Sequence, residues 1–82
     1  MYTVYILKTS KNTLYTGITT NLKKRLNEHR LKGKKSAKYM RSFESFELVY
    51  SEMVETRGEA LKREFEIKSL TRKKKESLIN NI

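Results

Sequence analysis

Residues 2–8, Tyr-Thr-Val-Tyr-Ile-Leu-Lys, form a run dominated by β-branched and aromatic side chains. Such a run crowds a helix and packs well on a pleated sheet. A second short run, Leu-Tyr-Thr-Gly-Ile at 14–18, follows the turn-like segment Thr9-Ser10-Lys11-Asn12-Thr13, in which Asn12 can take a left-handed backbone. Two strands so closely joined predict a β-hairpin, and the rest of the chain must cover it. With 82 residues there is material for one modest core, because a chain of this size buries only about 60% of the surface its unfolded form exposes. Residues 1–82 are therefore expected to form a single domain.

The covering elements carry their own start signals. Asn21 is an N-cap for a helix over about 22–32 that ends near Gly33. Lys32, Lys34, Lys35, Lys38 and Arg41 make 32–42 a basic loop, and Phe-Glu-Leu-Val-Tyr-Ser at 46–51 predicts a third strand. Thr56 and Glu59 have capping-box spacing and open a helix over 57–68; Thr71 caps a last helix over 72–80. That last helix opens with Arg72-Lys73-Lys74-Lys75. Cations there oppose the macrodipole, so stability alone does not explain them. The order β-β-α-β-α-α makes the class α+β: a small three-stranded, largely antiparallel sheet flanked by helices.

Charge narrows the function. Lys and Arg number 19 against nine acidic residues, all Glu, for a net charge of +10. Such a field favours polyanions, nucleic acid first and anionic membrane second. The membrane recedes because no apolar run approaches the roughly 20 residues a span needs, so a cytoplasmic protein without a membrane partner is expected. The absence of Cys excludes a disulfide scaffold, a Cys zinc site and thiol catalysis; a single histidine, His29, excludes multi-His metal sites. Candidate nucleic-acid contacts are Lys23 and Lys24, then Lys34, Lys35, Lys38, Tyr39 and Arg41, with the 72–75 run beside them. Charge runs are most often solvated faces; the net charge makes binding an equal reading here.

Two helix faces could carry chemistry. On 57–68, Ala60, Leu61, Phe65 and Ile67 define an apolar arc with Glu64 near its middle. A carboxylate there must be paired, be neutralised or hold a cation. Lys68 at i+4 supplies the plain explanation, worth about 0.2–0.5 kcal/mol, and spacing alone favours it. On 22–32, Leu22, Leu26 and His29 form a stripe that Arg25 borders, and Arg25 and His29 can reach one point. Arg suits bidentate phosphate capture and His suits proton transfer, yet a core-edge His beside a solvated Arg is the simpler account of either alone. Strand alternation puts Thr3, Tyr5 and Leu7 on one face and Tyr2, Val4 and Ile6 on the other. Tyr15 and Gly17 share a face of the second strand, and a strand glycine suggests close approach by backbone or ligand.

Thr3-Val4-Tyr5, Tyr15-Thr16-Gly17, Arg25 with His29, and Ala60-Leu61 followed by Glu64 together resemble the GIY-YIG (URI) nuclease family. The small stand-alone endonucleases of that family are the most similar. The resemblance runs from Tyr2 to about Leu70 and departs from the namesake motif at Thr3 and Thr16, neither of which matches a catalytic position. It implies a divalent-metal-dependent endonuclease that hydrolyses phosphodiester bonds in DNA, shape-selective or weakly sequence-selective, of the kind used in DNA repair or recombination. It implies that Tyr5 and Tyr15 are paired hydroxyls over the sheet, Arg25 the phosphate clamp, His29 an accessory acid or base, and Glu64 the ligand of one Mg²⁺ or Mn²⁺ ion. Tyr5, with an ordinary pKa of about 10, is favoured over Tyr15 and His29 as the base. Tyr5, Tyr15, Arg25 and Glu64 are then expected to converge on one face of the sheet. Family nucleases commonly borrow specificity from extra domains, so a protein partner could supply it here. The alternative is a non-catalytic module on the same fold that binds DNA or RNA, and an adaptor for an acidic protein is a third reading. A binding-only domain has no need of a buried-face Glu in a basic field.

Overall fold

In the computed structural model, which describes residues 1–31 and 45–80, β1 (Tyr2–Thr9) runs through the middle of a three-stranded sheet. The strands β2 (Leu14–Thr19) and β3 (Phe46–Val54) flank it, both antiparallel to it. Helices α1 (Leu22–Leu31), α2 (Arg57–Lys68) and α3 (Arg72–Asn80) complete the order expected from sequence. The hairpin turn closes as its residues suggest. Thr9 N–H donates to the Thr13 carbonyl at 2.9 Å, and Asn12 takes a φ of 63°, the left-handed region that asparagine tolerates.

The caps form where the sequence puts them. Lys24 N–H donates to Asn21 Oδ1 at 3.1 Å, Glu59 N–H to Thr56 Oγ1 at 3.2 Å, and Lys74 N–H to Thr71 Oγ1 at 3.3 Å. The α2 box differs in one detail, since the Thr56 hydroxyl also donates to Glu59 Oε1 at 3.2 Å. Strand β3 runs three residues beyond the expected 46–51. Met53 and Val54 pair with Thr3 and Tyr2, so β1 sets its length although Glu52-Met53 has little strand character of its own. The expected basic loop, with Lys34, Lys35, Lys38, Tyr39 and Arg41, lies outside the described residues.

Two small cores lie back to back across β1. On one face, buried Tyr5 and Leu7 meet Leu26 and Leu22 of α1, with Tyr15 and Phe46 at the margin. On the other, Val4 and Ile6 pack against Ala60 and Ile67 of α2, with Leu78 and Ile79 of α3 behind them. Each fully buried aliphatic side chain contributes about 1.5–3 kcal/mol. The central strand therefore anchors both layers, and its alternation decides which helix each residue meets.

Candidate functional site

Tyr5 is the link between the core and the site. It stands opposite Gly17 of β2, and its ring crosses that strand toward the outer edge of the sheet. A Cβ at residue 17 would sit 2.6 Å from Tyr5 Oη and 2.7 Å from Cζ, so no other amino acid fits beneath the ring unmoved. The close approach expected at Gly17 is thus made by a side chain. Tyr5 Oη lies 3.2 Å from Nε2 of His29, which reaches it from α1 and is itself completely buried. Tyr15 closes the group, its ring centroid 6.5 Å from Tyr5 and 5.9 Å from His29 at an edge-on 76°.

Burial sets the protonation states. The Tyr5 hydroxyl is pushed up to about 12, by desolvation first and by Tyr15 second, while the Arg25 guanidinium pulls the other way by hydrogen bond and charge. The ordinary value expected from sequence is corrected accordingly: in this pocket the phenolate lacks the water that would solvate it. His29 is lowered, by desolvation and then by the positive charge of Arg25, with Glu28 opposing. It is a neutral imidazole at neutral pH. Arg25 is half-buried, and desolvation works against its charge; hydrogen bonds to Glu28 and Tyr5 outweigh that and raise its pKa. Its Nη1 donates to Glu28 Oε1 at 3.1 Å.

Glu64 comes from the other side. Tyr5, Tyr15, Arg25 and His29 gather on the face covered by α1, whereas α2 covers the opposite face through Ala60 and Ile67. The helix of Glu64 thus lies in the layer opposite α1. Glu64 borders the buried stripe of α2, and its charge is among those that raise Tyr5. β2 is an edge strand, and the Tyr5 ring extends across it at Gly17. The Glu64 side chain is 21% exposed and its Oε2 lies 3.4 Å from Lys68 Nζ, the ion pair that the i, i+4 spacing suggests. Among the described residues no group of three or more His, Cys, Asp or Glu could hold a metal ion.

Lys23 and Lys24 are exposed on α1 and line a shallow basin of about 430 Å³ with Asn21, Asn27 and Arg30. Lys24 also borders a second basin, about 310 Å³, that reaches Arg25 and Glu28. A polyanion lying along α1 would meet these lysines on its way to Arg25. Two residues the sequence reading passed over also belong to the site. Glu28 orients Arg25, and its i, i+3 spacing from Arg25 is the signal that could have found it. Phe46 packs edge-on against His29 at 6.1 Å and carries the Arg30 guanidinium 5.6 Å from its ring centre. Nothing local marks Phe46, which reaches His29 only through strand pairing.

Comparison with known proteins agrees with this fold. The model of the GIY-YIG catalytic domain matches residues 1–77. A UPF0213 protein of Syntrophus aciditrophicus is 50% identical over 76 residues, 93% of this chain and 86% of its own. A UPF0213 protein of Natronomonas pharaonis is 46% identical over 76 residues, 93% of this chain and 87% of that one. The solution structure of a UPF0213 protein from Bacillus halodurans superposes with a TM-score of 0.62 at 38% identity, covering 98% of this chain and 84% of that one.

Proposed function

The chain belongs to the GIY-YIG catalytic domain family, and from that premise we propose that it is a divalent-metal-dependent endonuclease that hydrolyses phosphodiester bonds in DNA, with selectivity for shape or weakly for sequence. The observation that carries the proposal is the contact of Tyr5 Oη with His29 Nε2 at 3.2 Å, inside a pocket where Arg25 and Glu64 both act on the Tyr5 hydroxyl.

In this reading Arg25, held by Glu28, grips the scissile phosphate through its planar fork and stabilises the charge that builds in the transition state. Tyr5 is a poor base alone, because its phenolate is disfavoured. His29 resolves this. In the tautomer with Nδ1 protonated, Tyr5 donates to Nε2, so the tyrosine oxygen can take a proton from the attacking water while passing its own to the imidazole. The neutral state of His29 is the one this relay needs. Tyr15, edge-on to His29, walls the pocket and offers a second hydroxyl to the substrate.

The donor set suits Mg²⁺ or Mn²⁺. One half-buried carboxylate, Glu64, is tied among the described residues to a lysine that is 56% exposed, and a small hard cation that keeps most of its waters needs little more from the protein. Such an ion, when bound, supplies Lewis-acid stabilisation of phosphate-oxygen charge. The ion pair between Glu64 and Lys68 is also what favours the second reading, a nucleic-acid-binding module on the same fold without turnover.

One experiment separates the two. Purified protein is incubated with Mg²⁺ or Mn²⁺ and a panel of supercoiled, branched, flapped and single-stranded DNA. Nicking that chelator abolishes is expected; binding without nicking on every substrate would leave the module.

A further inference from the structure

The outer edge of β2 borders a depression whose two lysines the proposed reaction does not use. It has a volume of about 340 Å³ and is lined by Leu14, Tyr15, Thr16, Lys68 and Lys75. Its two cations come from different helices, α2 and α3, and share one space without lying in sequence contact. Lys68 has a counter-charge in Glu64. Lys75 is half-buried beside the depression, and its ammonium pairs with no carboxylate among the described residues. Two ammonium groups lining one small volume repel each other, and an anion placed there relieves that repulsion.

The third wall identifies the anion. Tyr15 packs its ring near Tyr5 and His29 and also lines the depression, so the depression adjoins the Tyr5–His29 cluster through that one side chain. An anion between Lys68 and Lys75 would therefore lie beside the cluster in which Arg25 acts on the Tyr5 hydroxyl. A sugar-phosphate backbone presents negative charges in such a series.

We propose that Lys68 and Lys75 bind the backbone phosphate adjacent to the one gripped at Arg25, so that the bound strand leaves the site past the outer edge of β2. This rests on the nuclease reading above. Lys68 then has two partners: Glu64 in the free protein, and the adjacent phosphate in the complex. Lys73 and Lys74, exposed on α3 and absent from the depression, take no part in this contact.

The test is the salt dependence of binding to a short DNA duplex, measured without divalent ions so that cleavage plays no part. Each neutralised phosphate contributes about −0.9 to the slope of log K against log salt. Lys68→Gln and Lys75→Gln should each flatten the slope by about 0.9, and together by about 1.8. The control is Lys11→Gln with Lys62→Gln, two exposed lysines that do not line the depression. It removes the same charge and should move the slope by less than half as much. Equal effects of the two pairs would overturn the proposal and leave the nuclease reading standing. A wild-type protein with no salt-dependent DNA binding would overturn both. A polyglutamate peptide should bind weakly and equally to wild type and the Lys68/Lys75 variant; a matching loss there would mean an acidic protein, not a backbone, occupies the depression.

Discussion

At Glu64 the enzymatic and the plain structural readings demand opposite results. As half of an ion pair with Lys68, the carboxylate matters little. As the metal ligand it cannot lose its charge. Glu64→Gln keeps length and helix propensity, so nicking should fall by on the order of 10²-fold or more, the scale of losing one stabiliser of transition-state charge. DNA affinity should hold or rise slightly, because a negative charge leaves a basic surface. Nicking at near wild-type rates would remove the metal role. Gly17 tests the pocket geometry. Gly17→Ala puts a methyl group 2.6 Å from Tyr5 Oη, and overpacking of this kind costs about 1–3 kcal/mol. Urea unfolding should show that loss, and the Tyr5–His29 contact should break with it. Protonation supplies a third expectation. His29 has a lowered pKa in the folded state, so the unfolded chain binds more protons in acid, and the stability His29 contributes is lost as pH falls below about 6.5. Tyr5 has a raised pKa, so its contribution is present below about 10 and lost as pH climbs toward about 12. Denaturant midpoints across pH should fall on both sides, and His29→Gln should flatten the acid limb below about pH 6.5.

At the scale of elements, short local signals decide where each helix begins. Asn21, Thr56 and Thr71 all cap as their spacing indicates, because a cap needs only a side-chain oxygen and an amide two or three residues on. Thr56 matters most, since it sets the start of the helix that carries Glu64 and Lys68. Thr56→Ala should cost about 1 kcal/mol and lower Tm by about 4–8 °C, as thermal melts would report. A loss well below that would mean that packing of Ala60 and Ile67 alone holds the first turn. Helix α3 carries no acidic residue in its first turn. Arg72 partly offsets the unfavourable charge by reaching across the fold, donating from Nη1 to the Asn12 carbonyl at 2.6 Å. The left-handed turn residue thus doubles as an anchor for the last helix.

For the whole molecule the governing quantity is the charge of +10. If about five cations neutralise phosphates, log K for duplex DNA should fall with log salt at a slope of roughly −4 to −5. Neutralising Lys34, Lys35 and Lys38 together should flatten it by about 2.7, measured by titration at several salt concentrations. An unchanged slope would place the footprint elsewhere, with α3 the first candidate. The layered fold gives that charge its direction. Exposed Lys23 and Lys24 on α1 lead toward Arg25 from one side of the sheet, and Lys68 and Lys75 border Tyr15 at the outer edge of β2.

Sequence alone determined the class of fold, the order of elements, the caps and the Arg25–His29 pair, because each depends on residues within a few positions of one another. It also brought Tyr5, Tyr15 and Glu64 into view, through a pattern spread along the chain. Only the tertiary structure decided how they meet. Strand order placed β2 at the edge, and Gly17 opened the path for the Tyr5 ring across it; Glu64 comes from the helix in the layer opposite α1. Burial then shifted Tyr5 up and His29 down, which in the proposed reaction makes the pair, rather than a lone tyrosine, the proton acceptor. Solvation and contacts across a sheet depend on which surfaces end up adjacent, and no window along the chain contains that information.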